Sequence, residues 1–191
     1  LVAVKPFVAG KIVVRNGTKG IGGSAFANCS KITSIVIPNS VTTIADRAFY
    51  RCSSLTSITI PSSVKRIDDK AFFGCSSLTS ITIPEGVTSI ENDVFRLCSS
   101  LTSIVIPEGV TSIGREAFYG CSSLKSITIP ESVTSIYYQA FYGCSSLTSV
   151  TVHSNIKSFS STFGSQVTEY ILGPSITSIG EEAFYGCSSL K

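Results

Sequence analysis

The feature that most constrains this chain is a repeat of fixed length. Cysteines stand at Cys29, Cys52, Cys75, Cys98, Cys121 and Cys144, each 23 residues after the last, and prolines at Pro38, Pro61, Pro84, Pro107 and Pro130 keep the same step. Read from Cys52 the unit is CSSLTSITIPSSVKRIDDKAFFG; read from Cys98 it is CSSLTSIVIPEGVTSIGREAFYG. A fixed period of roughly 20 to 50 residues marks an array of stacked units, each of which touches only its neighbours.

Within one unit the apolar residues Leu55, Ile58, Ile60, Val64, Ile67, Ala71, Phe72 and Cys75 show no sustained helical period. The segment LTSITI alternates apolar and polar residues and is rich in β-branched side chains, so it predicts a short strand ended by Pro61. The stretch from Ile67 to Cys75 is too short for a three-turn helix and predicts a 3₁₀ or single-turn segment around Ala71 and Phe72. Strands are expected at Ile12, Ile35, Ile58, Ile81, Ile104, Ile127, Val150 and Tyr170. One unit cannot bury enough surface to order itself, so the stack is the folding unit. The expected architecture is a repeat solenoid: one domain over 1–191, with one continuous parallel sheet on one face and short 3₁₀ or irregular segments on the other. Residues 1–11 fit no unit and read as an N-terminal cap or truncated turn. Residues 150–173 read as an irregular turn, because Leu147 and Val167 hold the same motif position only 20 residues apart. That turn has lost its Cys, its CSSL run and its Pro, and His153 stands in the Pro position.

At 14% charged and 43% hydrophobic residues, the chain is too apolar for a disordered segment. Ser, Thr and Pro interrupt it too often for a membrane span. The net charge of +3 comes from scattered Lys and Arg, with no basic run, which argues against a nucleic-acid surface. The opening LVAVKPFVAGKIVV lacks the layout of a signal peptide. With no Met, and with CSSLK at its end, the chain reads as a mature protein or a fragment.

The recurring pattern IPxxVTSIxxxAFxxCSSLTSI resembles the BspA-like, or Treponema-type, leucine-rich repeats, whose inward Leu and Ile positions match Leu55, Ile58 and Ile60. The resemblance covers about Ile12 to Lys191. It implies a surface or secreted protein with a role in adhesion to host proteins or other cells. It carries over no catalytic residue and no cofactor.

Isolated motifs give little chemistry. No C-x-x-C pair occurs, and successive cysteines lie a full turn apart, so zinc spacing is absent. In a parallel stack the Cβ atoms would sit about 4.8 Å apart, wide for a disulfide, so a buried column of seven reduced thiols is expected. His153, the single histidine, has no nucleophile and carboxylate at a recognisable spacing and reads as a surface residue. Asp68, Asp69, Glu91, Asp93, Glu181 and Glu182 read as solvated turn residues. Gly17, Gly20, Gly22 and Gly23 lack a following GK[ST] and suit turns better than a phosphate loop. Phe26, Phe49, Phe72, Phe95, Phe118, Phe141 and Phe184 should form an aromatic spine in the core.

The informative surface is the strand face. Its outward positions are Ser34 and Val36, Ser57 and Thr59, Ser80 and Thr82, Ser103 and Val105, Ser126 and Thr128, and Ser149 and Thr151. Ser and Thr pair well across a sheet for purely structural reasons. They also make a flat array of donors and acceptors, varied by Lys125 and Glu169, that could engage protein or glycan on a host or neighbouring cell. The candidate ligand-binding residues are Ser57, Thr59, Ser80, Thr82, Ser126, Thr128, Ser149 and Thr151. The alternatives are a structural spacer in a larger surface protein, favoured by the near-identity of the turns, and an array that binds ice or crystalline polysaccharide. Arg96, Arg115, Tyr137 and Tyr138 break the monotony and favour a binder.

Overall fold

Each of the regular 23-residue units lays down two strands and then a turn that cannot become a helix. The computed structural model describes residues 8–156 and 158–191. In chain order the elements are β1 (Ala9–Val13), β2 (Gly20–Ile21), β3 (Lys31–Val36), β4 (Thr43–Ile44), β5 (Ser57–Thr59), β6 (Arg66–Ile67), β7 (Ser80–Thr82), β8 (Ser89–Ile90), β9 (Ser103–Val105), β10 (Ser112–Ile113), β11 (Ser126–Ile129), β12 (Ser135–Ile136), β13 (Ser149–Val152), α1 (Phe159–Phe163) and β14 (Glu169–Leu172). The chain is a parallel β-solenoid with little helix.

All eight expected strand centres lie on the front ladder, which runs β1-β3-β5-β7-β9 and then β11-β13-β14. One continuous sheet was expected, and the ladder instead divides between β9 and β11. There Lys125 replaces the Thr of other turns. Thr56, Thr79 and Thr102 donate their hydroxyls to the carbonyls of Thr33, Thr56 and Thr79 at 3.1, 3.4 and 3.2 Å. Lys125 has no such hydroxyl, although its backbone N–H still reaches the Thr102 carbonyl at 3.3 Å, as Thr79 reaches Thr56 within the unbroken part of the ladder.

A second ladder, absent from the sequence reading, is built from the VTSI segments as β2-β4-β6 and β8-β10-β12. Its inward residues Ile44, Ile67, Ile90 and Ile113 are buried.

The third side is the Ala-Phe turn, where the single-turn expectation holds. Lys70 (φ 58) and Gly74 (φ 69) are both left-handed, and equivalent residues such as Arg47, Asp93, Glu116 and Gln139 repeat this in other turns. Two left-handed residues four apart stop helix propagation, because right-handed backbone is the default for L-residues. The freed N–H groups bond forward to the next turn, Phe49 to the Ala71 carbonyl at 2.8 Å and Phe72 to the Val94 carbonyl at 3.0 Å. Every side of the solenoid is therefore stitched to its neighbour.

Of the N-terminal cap or truncated turn expected over 1–11, residues 9–11 are the start of β1, paired with β3 through a register shift at Gly10 (φ 76), and so belong to the first rung. Residues 1–7 of the expected cap lie outside the described residues.

One hydrophobic cluster fills the interior. The phenylalanine spine stacks from Phe26 to Phe141 with ring centroids 5.1–5.7 Å apart. Phe184, expected as its next member, is not. Phe163 of α1 meets Phe141 at 5.1 Å, and Phe184 stacks on Phe159 at 4.4 Å. The short turn supplies α1 in place of a second strand, and its two phenylalanines, four residues apart on one helix face, bridge the gap.

Candidate functional site

The candidate strand-face residues lie where expected, two to a rung on β5, β7, β11 and β13. Side chains of a strand alternate between its faces, so burying Ile58, Ile81, Ile127 and Val150 turns both flanking residues outward. Register aligns Ser57 with Ser80, Ser126 with Ser149 and Thr128 with Thr151. The break between β9 and β11 divides the eight residues into two groups of four, with Ser103 and Val105 aligned to Ser80 and Thr82 at the boundary.

Two columns of hydroxyls away from this face are committed to the neighbouring turn. Thr111 and Thr134 donate to the carbonyls of Thr88 and Thr111, each at 3.2 Å. Ser63 and Ser132 donate to the carbonyls of Val41 and Val110, each at 2.7 Å. The hydroxyls of Ser57, Thr59, Ser80, Thr82, Ser126, Thr128 and Thr151 have no such partner among the described residues. Ser149 differs, donating to the Glu169 carboxylate at 2.8 Å. The Thr column also carries exposed apolar side chains. Val13 is 67% and Val105 71% exposed, and Ile171 also faces solvent. Val13 and Ile171 lie in the two turns that depart from the repeat.

Arg96, read from the sequence as a sign of a binder, is structural. Tyr50 stacks on Phe73 at 4.8 Å and Tyr119 on Tyr142 at 5.3 Å. The Arg96 guanidinium fills the rung between these pairs, 5.7 Å from the Phe73 ring and 4.3 Å from the Tyr119 ring. It also pairs with Asp93 at 3.4 Å and with Glu116. Asp93 is correspondingly no solvated turn residue, because it pairs with Lys70 as well, at 3.4 Å. Asp69 accepts the backbone N–H of Asn92 at 3.0 Å. Burial pushes the Asp68 carboxyl up, Arg66 at 3.0 Å works against that, and Glu91, Asp69 and Asp46 add to it.

Six cysteines are fully buried, whereas Cys187 in the last turn is half-buried, so the expected column of seven holds for six. The thiols of Cys52, Cys75, Cys98, Cys121 and Cys144 each donate to a Phe carbonyl of the preceding turn at 3.1–3.2 Å. Cysteine is thus a small apolar side chain that also gives a buried carbonyl, already bonded to a backbone N–H, a second hydrogen bond. Desolvation pushes Cys52 and Cys144 up to about 12, and Cys75, Cys98 and Cys121 are also raised well above the ordinary value. Thiols held neutral in this way are poor nucleophiles.

His153 is half-buried, not the surface residue expected. Its backbone N–H donates to the Ile129 carbonyl at 2.9 Å, and its ring lies over Gly173, where a side chain would collide with it. Gly20 lies in β2 and Gly17 in a left-handed turn (φ 88). Among the described residues no group of three or more His, Cys, Asp or Glu side chains could hold a metal ion, and no helix is long and apolar enough to cross a membrane.

Comparison with known proteins agrees with this architecture. A leucine-rich repeat protein from T. pallidum is 31% identical, with a TM-score of 0.69, over 83% of this chain and 78% of that one. A leucine-rich repeat protein from Bacteroides ovatus is 28% identical, with a TM-score of 0.45, over 94% of this chain and 65% of its own. A leucine-rich cell surface protein from Faecalibacterium prausnitzii is 26% identical, with a TM-score of 0.41, over 85% of this chain and 59% of its own. The chain thus spans less than two thirds of the latter two. No curated protein matches it. The model of the BspA type leucine-rich repeat region matches in six copies, over residues 9–102 and 88–191. From the 23-residue period, the doubly stranded turns and this match, the chain belongs to the BspA-type leucine-rich repeat family.

Proposed function

We propose that the chain is a non-catalytic binding module, displayed on a cell surface or secreted, that engages protein or glycan on a host or neighbouring cell through its strand face. One observation carries this reading. Hydroxyls such as those of Thr111, Thr134, Ser63 and Ser132 are spent on neighbouring turns, whereas those of Ser57, Thr59, Ser80, Thr82, Ser126 and Thr128 have no protein partner among the described residues and stand in register on one strand face. Ser149 and Thr151 extend that face onto β13. The exposed Val36 and Val105 add apolar contact beside the hydroxyls. Nucleic acid is the wrong partner, because Lys and Arg are scattered along the chain.

The face offers few of the Trp, Tyr or Arg anchors that dominate binding energy, so adhesion depends on many copies acting together. Beads carrying many copies should adhere to intact cells. Replacing Ser80, Thr82, Ser126 and Thr128 together with Lys should abolish adhesion while leaving the circular-dichroism spectrum unchanged. Adhesion that survives this change and is lost in a Tyr137→Ala, Tyr138→Ala variant would move the surface to the exposed tyrosine edge. The rungs that tie every turn to the next also suit a rigid spacer, and adhesion indifferent to both variants would favour that role.

A further inference from the structure

In a regular turn the second strand is covered by its counterpart one turn on. The 20-residue turn supplies no such strand, so β12 ends its ladder. Ile136 is consequently half-exposed, whereas Ile44, Ile67, Ile90 and Ile113 are at most 3% exposed. Between β12 and α1 this omission opens a groove of about 400 Å³, lined by Ser135, Tyr137, Ser154, Asn155, Ser161 and Thr162, among others. A second lobe of about 310 Å³ shares Thr134, Ser154 and Asn155 with it. Both volumes lie in the range of small-ligand sites, about 300–1,000 Å³.

The lining decides the ligand class. None of the described side chains around the first lobe is charged, and the one carboxylate of the second, Glu131, is exposed. Among the described residues neither lobe offers a Lys or Arg to pair with a phosphate or carboxylate, and the His153 ring lines the second. Hydroxyls and one amide dominate, and Tyr137 presents an aromatic ring that is 58% exposed. Ser154, at 6% exposure, has a buried hydroxyl oxygen with no hydrogen-bond partner and lines both lobes. A buried polar atom left unpaired is costly, and a ligand hydroxyl would satisfy it.

We propose that this groove binds one ring of a neutral sugar. The Tyr137 ring packs on the C–H face of the sugar, and Ser154 and Asn155 hydrogen-bond its hydroxyls. The site is independent of the strand face and is a product of the shortened turn.

The test is saturation-transfer difference NMR on the whole chain with methyl glycosides of glucose, galactose, mannose and N-acetylglucosamine. Glucose 6-phosphate and an extended uncharged peptide serve as comparators. At least one neutral glycoside should show transfer, and Tyr137→Ala should abolish it. Tyr138→Ala, whose ring sits against Arg115 outside the groove, should leave it unchanged. Ser154→Ala should weaken binding about two- to tenfold, the worth of one hydrogen bond, without lowering the melting temperature, since this hydroxyl pairs with nothing in the protein. The four-lysine strand-face variant should bind like the parent. The proposal is overturned if no neutral glycoside shows transfer, if transfer persists in Tyr137→Ala, or if the strand-face variant loses it. Stronger transfer to the phosphate or the peptide also overturns it, the peptide result marking the free edge of β12 as a strand-pairing site instead.

Discussion

Raising the pH should unfold this protein through its cysteine column. Cys52, Cys75, Cys98, Cys121 and Cys144 are fully buried, and each is raised from an ordinary value of 9.0 to about 12 or well above the ordinary value, mainly by desolvation. A thiol kept neutral by the fold holds its proton at pH values where the unfolded chain has released it. The stabilisation is therefore fully present below pH 9 and is lost as the pH climbs toward 12. Each thiol contributes up to about 1.4 kcal/mol per pH unit in that window. Between pH 7 and pH 10 the loss is a little over 1 kcal/mol per thiol, on the order of 5–7 kcal/mol for five, against a total of about 5–15 kcal/mol for an ordinary domain. The assay is urea denaturation followed by circular dichroism at intervals from pH 7 to pH 10, on the parent chain and on Cys98→Ala. At pH 7 the variant should be the weaker, because it leaves a small cavity and removes one of the two hydrogen bonds that the Phe72 carbonyl accepts. By pH 10 the gap should narrow by about 1 kcal/mol, since the variant has one fewer buried thiol to lose. The buried Tyr170 hydroxyl is also raised, but it is common to both chains and cancels in the comparison. Stability that stays level from pH 8 to pH 10, or a gap that does not change with pH, would refute the reasoning.

Three further outcomes follow from the same geometry. A thiol reagent added to the folded chain should label Cys187 first, with the six buried cysteines reacting only in denaturant; rapid native labelling of Cys75 or Cys98 would contradict the packing. Gly114→Ala should destabilise by about 1–3 kcal/mol, because its Cβ would lie 2.6 Å from the Glu91 carbonyl carbon. Gly180→Ala, with nothing within 4 Å, should stay within about 0.5 kcal/mol of the parent, and equal melting temperatures for the two variants would show that the close approach is not real. In hydrogen exchange the amides of Ser154, Asn155 and α1 should exchange fastest within 150–173, while β13 and β14, paired in register, stay protected; exchange at Ser154 as slow as around Cys75 would count against a weak turn.

The period of 23 was enough to read the stack, its eight front strands, the buried cysteines and most of the phenylalanine spine from residue order alone. Each follows from local alternation or from a spacing that repeats, and repetition forces equivalent residues into equivalent environments. The second ladder was not legible. Two-residue strands such as Thr43–Ile44 exist only because neighbouring turns offer them partners, and no local pattern distinguishes them from a loop. Tertiary packing likewise decided that Arg96 substitutes for an aromatic ring, that Asp93 is held by Lys70 and Arg96, and that residues 9–11 join β1. The deletion itself was visible in the spacing of Leu147 and Val167, but its consequence was not. Removing three residues exchanged a strand for α1, handed the spine to Phe163, and left Ser154 unpaired beside an uncovered β12, because a stacked fold transfers every local change to the turn it leans on.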